Sequence, residues 1–367
     1  MLSHLSMAEL FNIAKGKIGI LSATPGDYTL VTTGENHSTH IEPHFSGDAV
    51  CIPLISATGH GHASLKRLHH VKGDFAVGSI LCACVNKRPD IVLARYVYYY
   101  LTACKESVLI PLMQGTANMS MKVKDINKIK IPLPSLSKQE SIVSALDELQ
   151  DKVRKVEEHL CVVESNAENL LALHFSSIIK GVPLRLIEEV APLIRREQII
   201  ELDGMYPELG VRSFGKGTFH KPTLMGTDVG SKRLFKIEPG DLIFSNVFAW
   251  EGAIAVAQLE DAGRFGSHRF ITCKVDRNIL IPDFLRYYFL TDEGLLKINE
   301  ASPGGAGRNR TLGLKKLMAI KVPVPSIEVQ NTFKQLLADV NMLKEKHSAI
   351  RQANSALIPA MLERIFI

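Results

Sequence analysis

The side chains best placed to hold an anion are basic residues beside glycines. Between Val211 and Lys221, the residues Arg212, Lys216, His220 and Lys221 stand on a chain interrupted by Gly215 and Gly217. Between Ser302 and Arg310, Arg308 and Arg310 close a run containing Gly304, Gly305 and Gly307. Glycine lets backbone N–H groups approach a phosphate closely, and arginine contacts phosphate or guanine in bidentate fashion. No Gly-Lys-Ser/Thr follows the second run, so it is not a nucleotide-binding P-loop. In the first third of the chain the corresponding group is His60, His62, Lys66 and Arg67, around Gly59 and Gly61. The bland alternative for each stretch is a solvated turn.

A metal centre is the other chemistry these residue types suggest. His37, His40, His44, His60, His62, His69 and His70 crowd the first third, with Cys82 and Cys84 nearby. Those two cysteines fall on one face of an apolar strand, where free Cys normally packs as core. No C-x-x-C or H-E-x-x-H spacing accompanies the histidines. The stretch from Thr58 to Ala63 therefore reads as a polar loop facing a partner. Catalytic patterns are missing as well: there is no Asn/Asp-Pro-Pro-Tyr/Phe, no glycine-rich S-adenosylmethionine loop, no Walker motif and no carboxylate pair with a lysine. Asp241 and Glu251 stand apart beside strands with no partner base. The chain reads as a binding protein with no metal or cofactor of its own.

Two long helices must position these loops. Ser137 to Lys180 is a stretch of 44 residues without Gly or Pro. Ile142, Leu146, Leu149, Val153, Val156, Leu160, Val163, Ala167 and Leu170 recur at steps of four and three, the seam of a heptad pattern. Ser137 and Glu140 have the spacing of a capping box, and Gly181 and Pro183 supply a stop. A second seam runs through Phe333, Leu336, Val340, Leu343, His347, Ile350, Asn354, Leu357 and Met361. His347 and Asn354 would fix its register, and Pro359 is expected to kink or end it.

The helices are announced by the same stretch twice: Ile129-Lys-Ile-Pro-Leu-Pro-Ser-Leu136 and Ile320-Lys-Val-Pro-Val-Pro-Ser-Ile327. Pro132 and Pro323 are 191 positions apart, as are Gln139 and Gln330. The same offset pairs Arg95-Tyr96 with Arg286-Tyr287, Asn118 with Asn309, and Ser120 with Thr311. Gly204, Gly240 and Gly263 answer Gly26, Gly47 and Gly73. The chain is thus a tandem duplication of globular part and long helix. We expect an α+β fold in four segments: a mixed domain of short strands over 1–133, a central helix over 134–180, a second mixed domain over 181–325 and a distal helix over 326–367. Tyr28–Thr33, Ala49–Ile55 and Ser79–Val85 read as strands and Ile91–Leu101 as a helix. Each seam needs cover, so the helices should pair as an antiparallel coiled coil with the domains at its ends.

Charge divides along the same lines. Residues 1–136 carry 13 Lys and Arg against 9 Asp and Glu, and residues 181–325 carry 20 against 17, whereas residues 137–180 carry 5 against 8. An acidic helix should not lie along phosphates, so the globular parts are the expected nucleic-acid surfaces. Two unlike domains on a fixed spacer suit double-stranded DNA read at two unlike half-sites. Hydrophobic residues make up 46% and charged residues 22% of the chain, the balance of a globular protein, with no apolar run long enough for a membrane span. The N-terminus lacks a signal-peptide pattern, and six irregularly spaced Cys suggest reduced thiols, hence a cytoplasmic protein.

These features resemble Type I restriction-modification specificity subunits. The likeness rests on the doubled Pro-x-Pro hinge and helix, on Gly240-Asp-Leu-Ile-Phe-Ser-Asn-Val-Phe-Ala-Trp-Glu-Gly252, and on Gly59-His-Gly-His-Ala-Ser64. The hinge at Val322 is a looser version, and Val329 stands where an acidic residue often precedes the Gln. The resemblance implies two target recognition domains and two methyltransferase subunits as partners. It also implies restriction subunits, with S-adenosylmethionine, ATP and magnesium held in those partners. Two other readings stay open: a coiled-coil scaffold whose terminal domains bind protein, and a subunit of a related two-part methyltransferase-nuclease.

Overall fold

The computed structural model describes residues 3–19, 22–58, 61–116, 118–304 and 310–367. They fold as two compact units, residues 1–161 with 347–367 and residues 162–346. Each unit therefore contains one globular part and a length of both long helices.

The first unit opens on Ser3–Ser6 (β1) and a single helical turn, Met7–Leu10 (α1). Ser6 caps that turn reciprocally with Glu9, and Met7 and Leu10 point into the core. The sheet follows: Phe11–Lys15 (β2), Tyr28–Val31 (β3), Ser38–His40 (β4), Phe45–Pro53 (β5), His69–Val77 (β6) and Leu81–Asn86 (β7). Among the described residues its order is β2-β7-β5-β6-β3-β4, with β3 parallel to β6 and the other neighbours antiparallel. Residues Ala49 to Pro53 form an unbroken buried run, because Ala94–Ala103 (α2) covers one face of the sheet through Tyr96, Val97 and Leu101. Cys82 and Cys84 are core residues of β7, and the hydrogen bond with Cys82, then burial, push the Cys84 thiol up, away from the thiolate a metal needs. Lys130–Leu133 (β8), the first Pro-x-Pro stretch, pairs antiparallel with β1 and closes the globular part on itself.

Leu136–Ile178 (α3) is the first long helix. It starts two residues earlier than a cap at Ser137 would place it, because the capping oxygen belongs to Ser135, which accepts from Lys138 N–H at 3.4 Å. The expected box of Ser137 and Glu140 therefore lies inside the first turn.

The second unit repeats this order. Leu184–Leu186 (β9) leads into Ile187–Val190 (α4), followed by Glu197–Gln198 (β10), Met205–Val211 (β11), Thr218–Met225 (β12), Leu234–Lys236 (β13), Asp241–Ser245 (β14), Ile254–Val256 (β15), Phe265–Ser267 (β16) and Phe270–Lys274 (β17). Among the described residues these form sheets β10-β13-β16-β11-β12 and β15-β14-β17. Pro282–Leu290 (α5) packs on the second sheet through Phe284, Leu285 and Phe289. Lys321–Pro323 (β18) then pairs with β9, as β8 does with β1, and Ile327–Phe366 (α6) is the second long helix.

A buried glutamine fixes the same junction in both units. Gln139 accepts from Leu93 N–H (2.9 Å) and donates to the carbonyls of Ile91 and Pro134 (both 2.9 Å). Gln330 accepts from Ile281 N–H (2.8 Å) and donates to the carbonyls of Ile279 (2.9 Å) and Pro325 (2.8 Å). Each ties the first turn of a long helix to the residues that start α2 or α5. Pro134 and Pro325 keep the offset of 191, but Leu93 and Ile281, like Ile91 and Ile279, are 188 apart, so Tyr99 is the counterpart of Tyr287. The pairing of Arg95-Tyr96 with Arg286-Tyr287 is therefore a coincidence of lettering. Arg95 bonds Asp147 and Gln150 on α3, whereas Arg286 bonds the Gly215 carbonyl.

The long helices run side by side and antiparallel within each unit. In the first, Leu146 packs with Leu362, Asn354 donates to the Val153 carbonyl at 2.9 Å, and Arg351 meets Glu157 at 2.8 Å. In the second, Lys344 meets Glu168 at 2.5 Å, and Phe333 packs with Phe175, ring centroids 4.9 Å apart. His347 and Asn354 do lie on the buried seam.

Elsewhere the seam departs from the heptad. After Leu149 and Val153 it takes Glu157, Leu160, Glu164, Ala167 and Leu171, leaving Val156 36%, Val163 44% and Leu170 62% exposed. On α6, Arg351 and Ile358 replace Ile350 and Leu357. Two successive four-residue steps hold the spacing at about 3.6 residues, that of a straight helix and not of a heptad supercoil. The polar pair Arg351–Glu157 is satisfied only in this phase. Helix α6 also continues through Pro359 to Phe366. Ser355 and Pro359 both face solvent, so water can reach the carbonyl that Pro359 leaves without a helical donor.

Candidate nucleic-acid interface

Strands β11 and β12 form a hairpin with residues 212–217 at its tip. Arg212 N–H closes the tip on the Gly217 carbonyl at 2.9 Å. The side chains of β12 alternate as the pleat requires. On one face the Arg212 guanidinium lies over the Phe219 ring, 4.9 Å from its centroid, and donates to the Thr218 carbonyl. Lys221 emerges on that same face of the pleat, and Lys216 extends from the tip. On the other face Thr218 and His220 both turn to Asp261, at 2.9 and 3.0 Å. Asp261 is buried and also accepts from Gln258 N–H. His220 thus anchors its strand and leaves the basic group that the sequence suggested.

The tip is fastened to residues 248–252. Phe214 N–H donates to the Glu251 carbonyl at 2.8 Å and Gly215 N–H to the Gly252 carbonyl at 2.9 Å. Ser213 Oγ donates to the Glu251 carboxylate at 3.1 Å. In the same segment, Trp250 carries the Arg310 guanidinium over its ring, 5.4 Å from the centroid. Asn299 accepts from Arg310 at 3.0 Å. Arg310 is thereby linked to the segment that holds the tip bearing Arg212 and Lys216. Arg308, Asn309 and the glycines at 305 and 307 lie outside the described residues. Nothing in the residue pattern points directly to the Trp250 joint, although the Gly240–Gly252 stretch contains it. Asp241, by contrast, is structural: Arg196 binds it in a fork at 2.6 and 3.1 Å.

In the first unit the equivalent hairpin is β3–β4, since β3, like β11, has a parallel neighbour on one side and its hairpin partner on the other. Its tip, residues 32–37, carries Glu35, which meets Arg67 at 3.4 Å. Lys66, Arg67, Thr33, Gly34, Ile55 and Ser56 line a cleft of about 380 Å³ beside that tip. His62 is exposed, its carbonyl accepting from Ser56 Oγ at 2.6 Å and Thr58 Oγ1 at 3.2 Å; His60 lies outside the described residues.

The other histidines do not converge on one point. His70 bonds Asp48, His40 meets the Thr24 carbonyl, and His37 packs edge-on against His69 at 4.7 Å. Among the described residues no group of three or more His, Cys, Asp or Glu could hold a metal.

His69 is 7% exposed, and burial, then His37, then Arg67, lower its pKa to about 4. Below about pH 6.5 the unfolded chain takes up a proton that the folded imidazole refuses, so stability falls as pH drops towards 4. The loss is on the order of 3 kcal/mol, and His37, also lowered by burial, adds in the same direction. Denaturant midpoints at pH 7 and pH 4.5 should differ less in His69→Leu than in the wild type. An unchanged difference shows that other groups carry the acid sensitivity.

Fold and surface together define a duplicated α+β protein built on two long helices, with a basic hairpin tip in the second globular part and a cleft lined by Lys66 and Arg67 in the first. Comparisons with known proteins find likenesses to one group. The Type I restriction modification DNA specificity domain family matches residues 5–160. The specificity subunit of the Type I restriction enzyme MjaVIII from Methanocaldococcus jannaschii is 23% identical over 279 residues, 68% of this chain and 64% of that relative. The match thus spans a little under two-thirds of that protein's length. The S subunit of a Type I restriction-modification system from M. genitalium superposes with a TM-score of 0.52 at 14% identity, covering 100% of this chain and 96% of that one. The HsdS subunit of Thermoanaerobacter tengcongensis gives 0.54 at 15%, covering 99% and 96%. A chain solved in work on assembly and conformational transition of the Type I restriction-modification system gives 0.62 at 15%, covering 99% and 97%. At these identities the superpositions speak for the fold. The first globular part and the start of its long helix are thus similar to the Type I restriction modification DNA specificity domain, and the whole chain shares its fold with solved S subunits.

Proposed function

We propose that this chain is the sequence-reading, non-catalytic subunit of a Type I restriction-modification complex. In that reading residues 1–133 and 181–325 are target recognition domains, each reading one half of an asymmetric, bipartite DNA target. Segments 134–180 and 326–367 join them. The observation that carries the proposal is the pair of equivalent hairpins with unlike tips. One backbone position presents Arg212 and Lys216 in the second unit and Thr32, Glu35 and His37 in the first. A fold repeated with different reading chemistry suits two different half-sites. Arg212, Lys216, Lys221 and Arg310 are the DNA contacts of the second half, with Arg308 beside them in sequence. Lys66, Arg67 and His62, with His60, are those of the first, and His220 acts indirectly by holding β12.

The helices serve the partners. In the first unit Val156, Ile350 and Leu357 are exposed, and each directly precedes a seam residue. In an antiparallel pair such positions flank the seam on one side, which makes an apolar row for a partner helix. Methyltransferase subunits are the proposed occupants, two per chain because the repeat occurs twice. Restriction subunits join through the assembled complex. S-adenosylmethionine, ATP and magnesium belong to those partners, and the complex works in the cytoplasm. No helix among the described residues is long and apolar enough to cross a membrane.

The test is selection of duplexes from a randomised pool by the chain purified with its native partners. The expected target has two specified blocks separated by unspecified positions. Arg212→Ala with Lys216→Ala should relax one block only and flatten the salt dependence by about one unit for each phosphate no longer neutralised. One continuous block, or relaxation of both, contradicts the division of labour. No enrichment at all points instead to a scaffold that binds protein.

A further inference from the structure

One residue of the second hairpin tip has no role in that reading. Phe214 is 75% exposed and adopts a φ of 60°, the only described non-glycine residue with a positive φ. A bulky side chain avoids this conformation, which persists only where the surroundings impose it. Here they do so from both sides. Its own N–H and that of Gly215 are bonded to the carbonyls of Glu251 and Gly252 at 2.8 and 2.9 Å, and Arg286 donates to the Gly215 carbonyl at 2.5 Å. Arg286 is itself desolvated, its pKa lowered by burial, and the carbonyl dipole it meets belongs to this turn. A large apolar ring is thus held out into water on a clamped backbone, where a solvated turn would carry a small or polar residue. Cations surround it: Lys216 Nζ lies 5.9 Å from the ring centroid, and Arg212 stands two residues before it.

We propose that Phe214 is a wedge that enters a base step of the duplex bound by the second unit, unstacking and kinking the DNA there. The proposal rests on the DNA-reading function above and adds a mechanism to it. Apolar wedges flanked by cations bend duplexes by about 20–90°, because the cations hold the adjacent phosphates while the ring replaces a stacked base. The neighbouring cations favour a polyanion over a protein surface as the occupant. The first unit's tip carries no Phe, Tyr or Trp between Thr32 and His37, and its Glu35 is paired with Arg67, so the kink falls in one half of the target only. Indirect readout follows from this. A flexible pyrimidine–purine step is preferred at the wedge position, and no hydrogen bond need read it.

The test compares wild type, Phe214→Gly and Lys216→Ala, each as the full chain with its native partners. The probes are the duplexes enriched by the wild type from a random pool, carrying 2-aminopurine at successive steps and a dye at each end. Glycine accepts a φ of 60° without strain, so Phe214→Gly should melt no lower than wild type, and weakened binding cannot be blamed on unfolding. It should bind about 5- to 150-fold more weakly, the range expected for removing one stacked ring. Its salt dependence should keep the wild-type slope, since no charge is removed, whereas Lys216→Ala should flatten it. In the wild type one 2-aminopurine position should brighten and the dye ends should approach; in Phe214→Gly both signals should vanish. Wild-type affinity and bending in Phe214→Gly overturn the wedge. So does a variant that binds DNA normally but loses its partner subunits, which would make Phe214 a protein contact. A wild-type complex that retains no duplex overturns the DNA reading itself, and the wedge with it.

Discussion

Leu146→Asp lowers the stability of the first unit by several kcal/mol, whereas Val156→Asp, ten residues further along the same helix, changes it by no more than about 0.5 kcal/mol. Both positions look equivalent on the heptad. In the structure Leu146 has no exposed surface and packs against Tyr99 and Leu362, so a carboxylate there is buried without a partner. Val156 stands beside the seam, where an Asp side chain reaches water. Denaturant unfolding of the two variants under identical conditions checks the contrast. Equal destabilisation by both substitutions would restore the regular heptad and refute the shifted seam.

The second large effect is expected at the glutamine latches. Gln139→Leu leaves Leu93 N–H and the carbonyls of Ile91 and Pro134 without the partners they have now. Buried orphans cost about 1–3 kcal/mol each, so the variant should lose roughly 3 kcal/mol or more. Gln330→Leu does the same to Ile281, Ile279 and Pro325. The signature that separates this from a general packing defect is local. Amide exchange at Leu93 in one variant, and at Ile281 in the other, should accelerate far more than exchange in the neighbouring strands. A variant with normal stability and unchanged exchange at those amides shows that the latch is dispensable.

Those latches also show what a sequence can and cannot reveal. The duplication is legible because Pro132 and Pro323, and Gln139 and Gln330, sit in stretches whose backbone needs dictate residue type. The register within each globular part is not, because the α2 and α5 segments are displaced by three residues from that offset and only the hydrogen bonds of the glutamines disclose it. The closing strands β1 and β9 escape for another reason. They are three or four residues long, and their pairing depends on partners well over a hundred positions away. Apolar spacing alone misplaces the seam because it favours Val156, whereas the ion pair of Arg351 with Glu157 and the Asn354 bond to Val153 decide the register.

At the candidate interface, charge and glycine are visible in the letters, which is why Arg212, Lys216 and Arg310 stand out. The strain at Phe214, the Trp250 joint and the inward turn of His220 do not, since each depends on a residue distant in sequence. A simple signal is available for Phe214 all the same: an aromatic residue between two cations, next to a glycine.

The closing strands have an evolutionary consequence. In each repeat the two ends of the globular part are stapled to each other, β1 to β8 and β9 to β18, and a glutamine locks the following helix to the same base. Everything between the staples enters and leaves at one point, so the helix sees it much as a protein sees an insertion in a surface loop. Lengthening such an insertion costs only about 0.6 kcal/mol per doubling. Heads of quite different size and surface can therefore be exchanged on an unaltered stem. Natural selection can thus reshape either globular part without disturbing the helix beneath it.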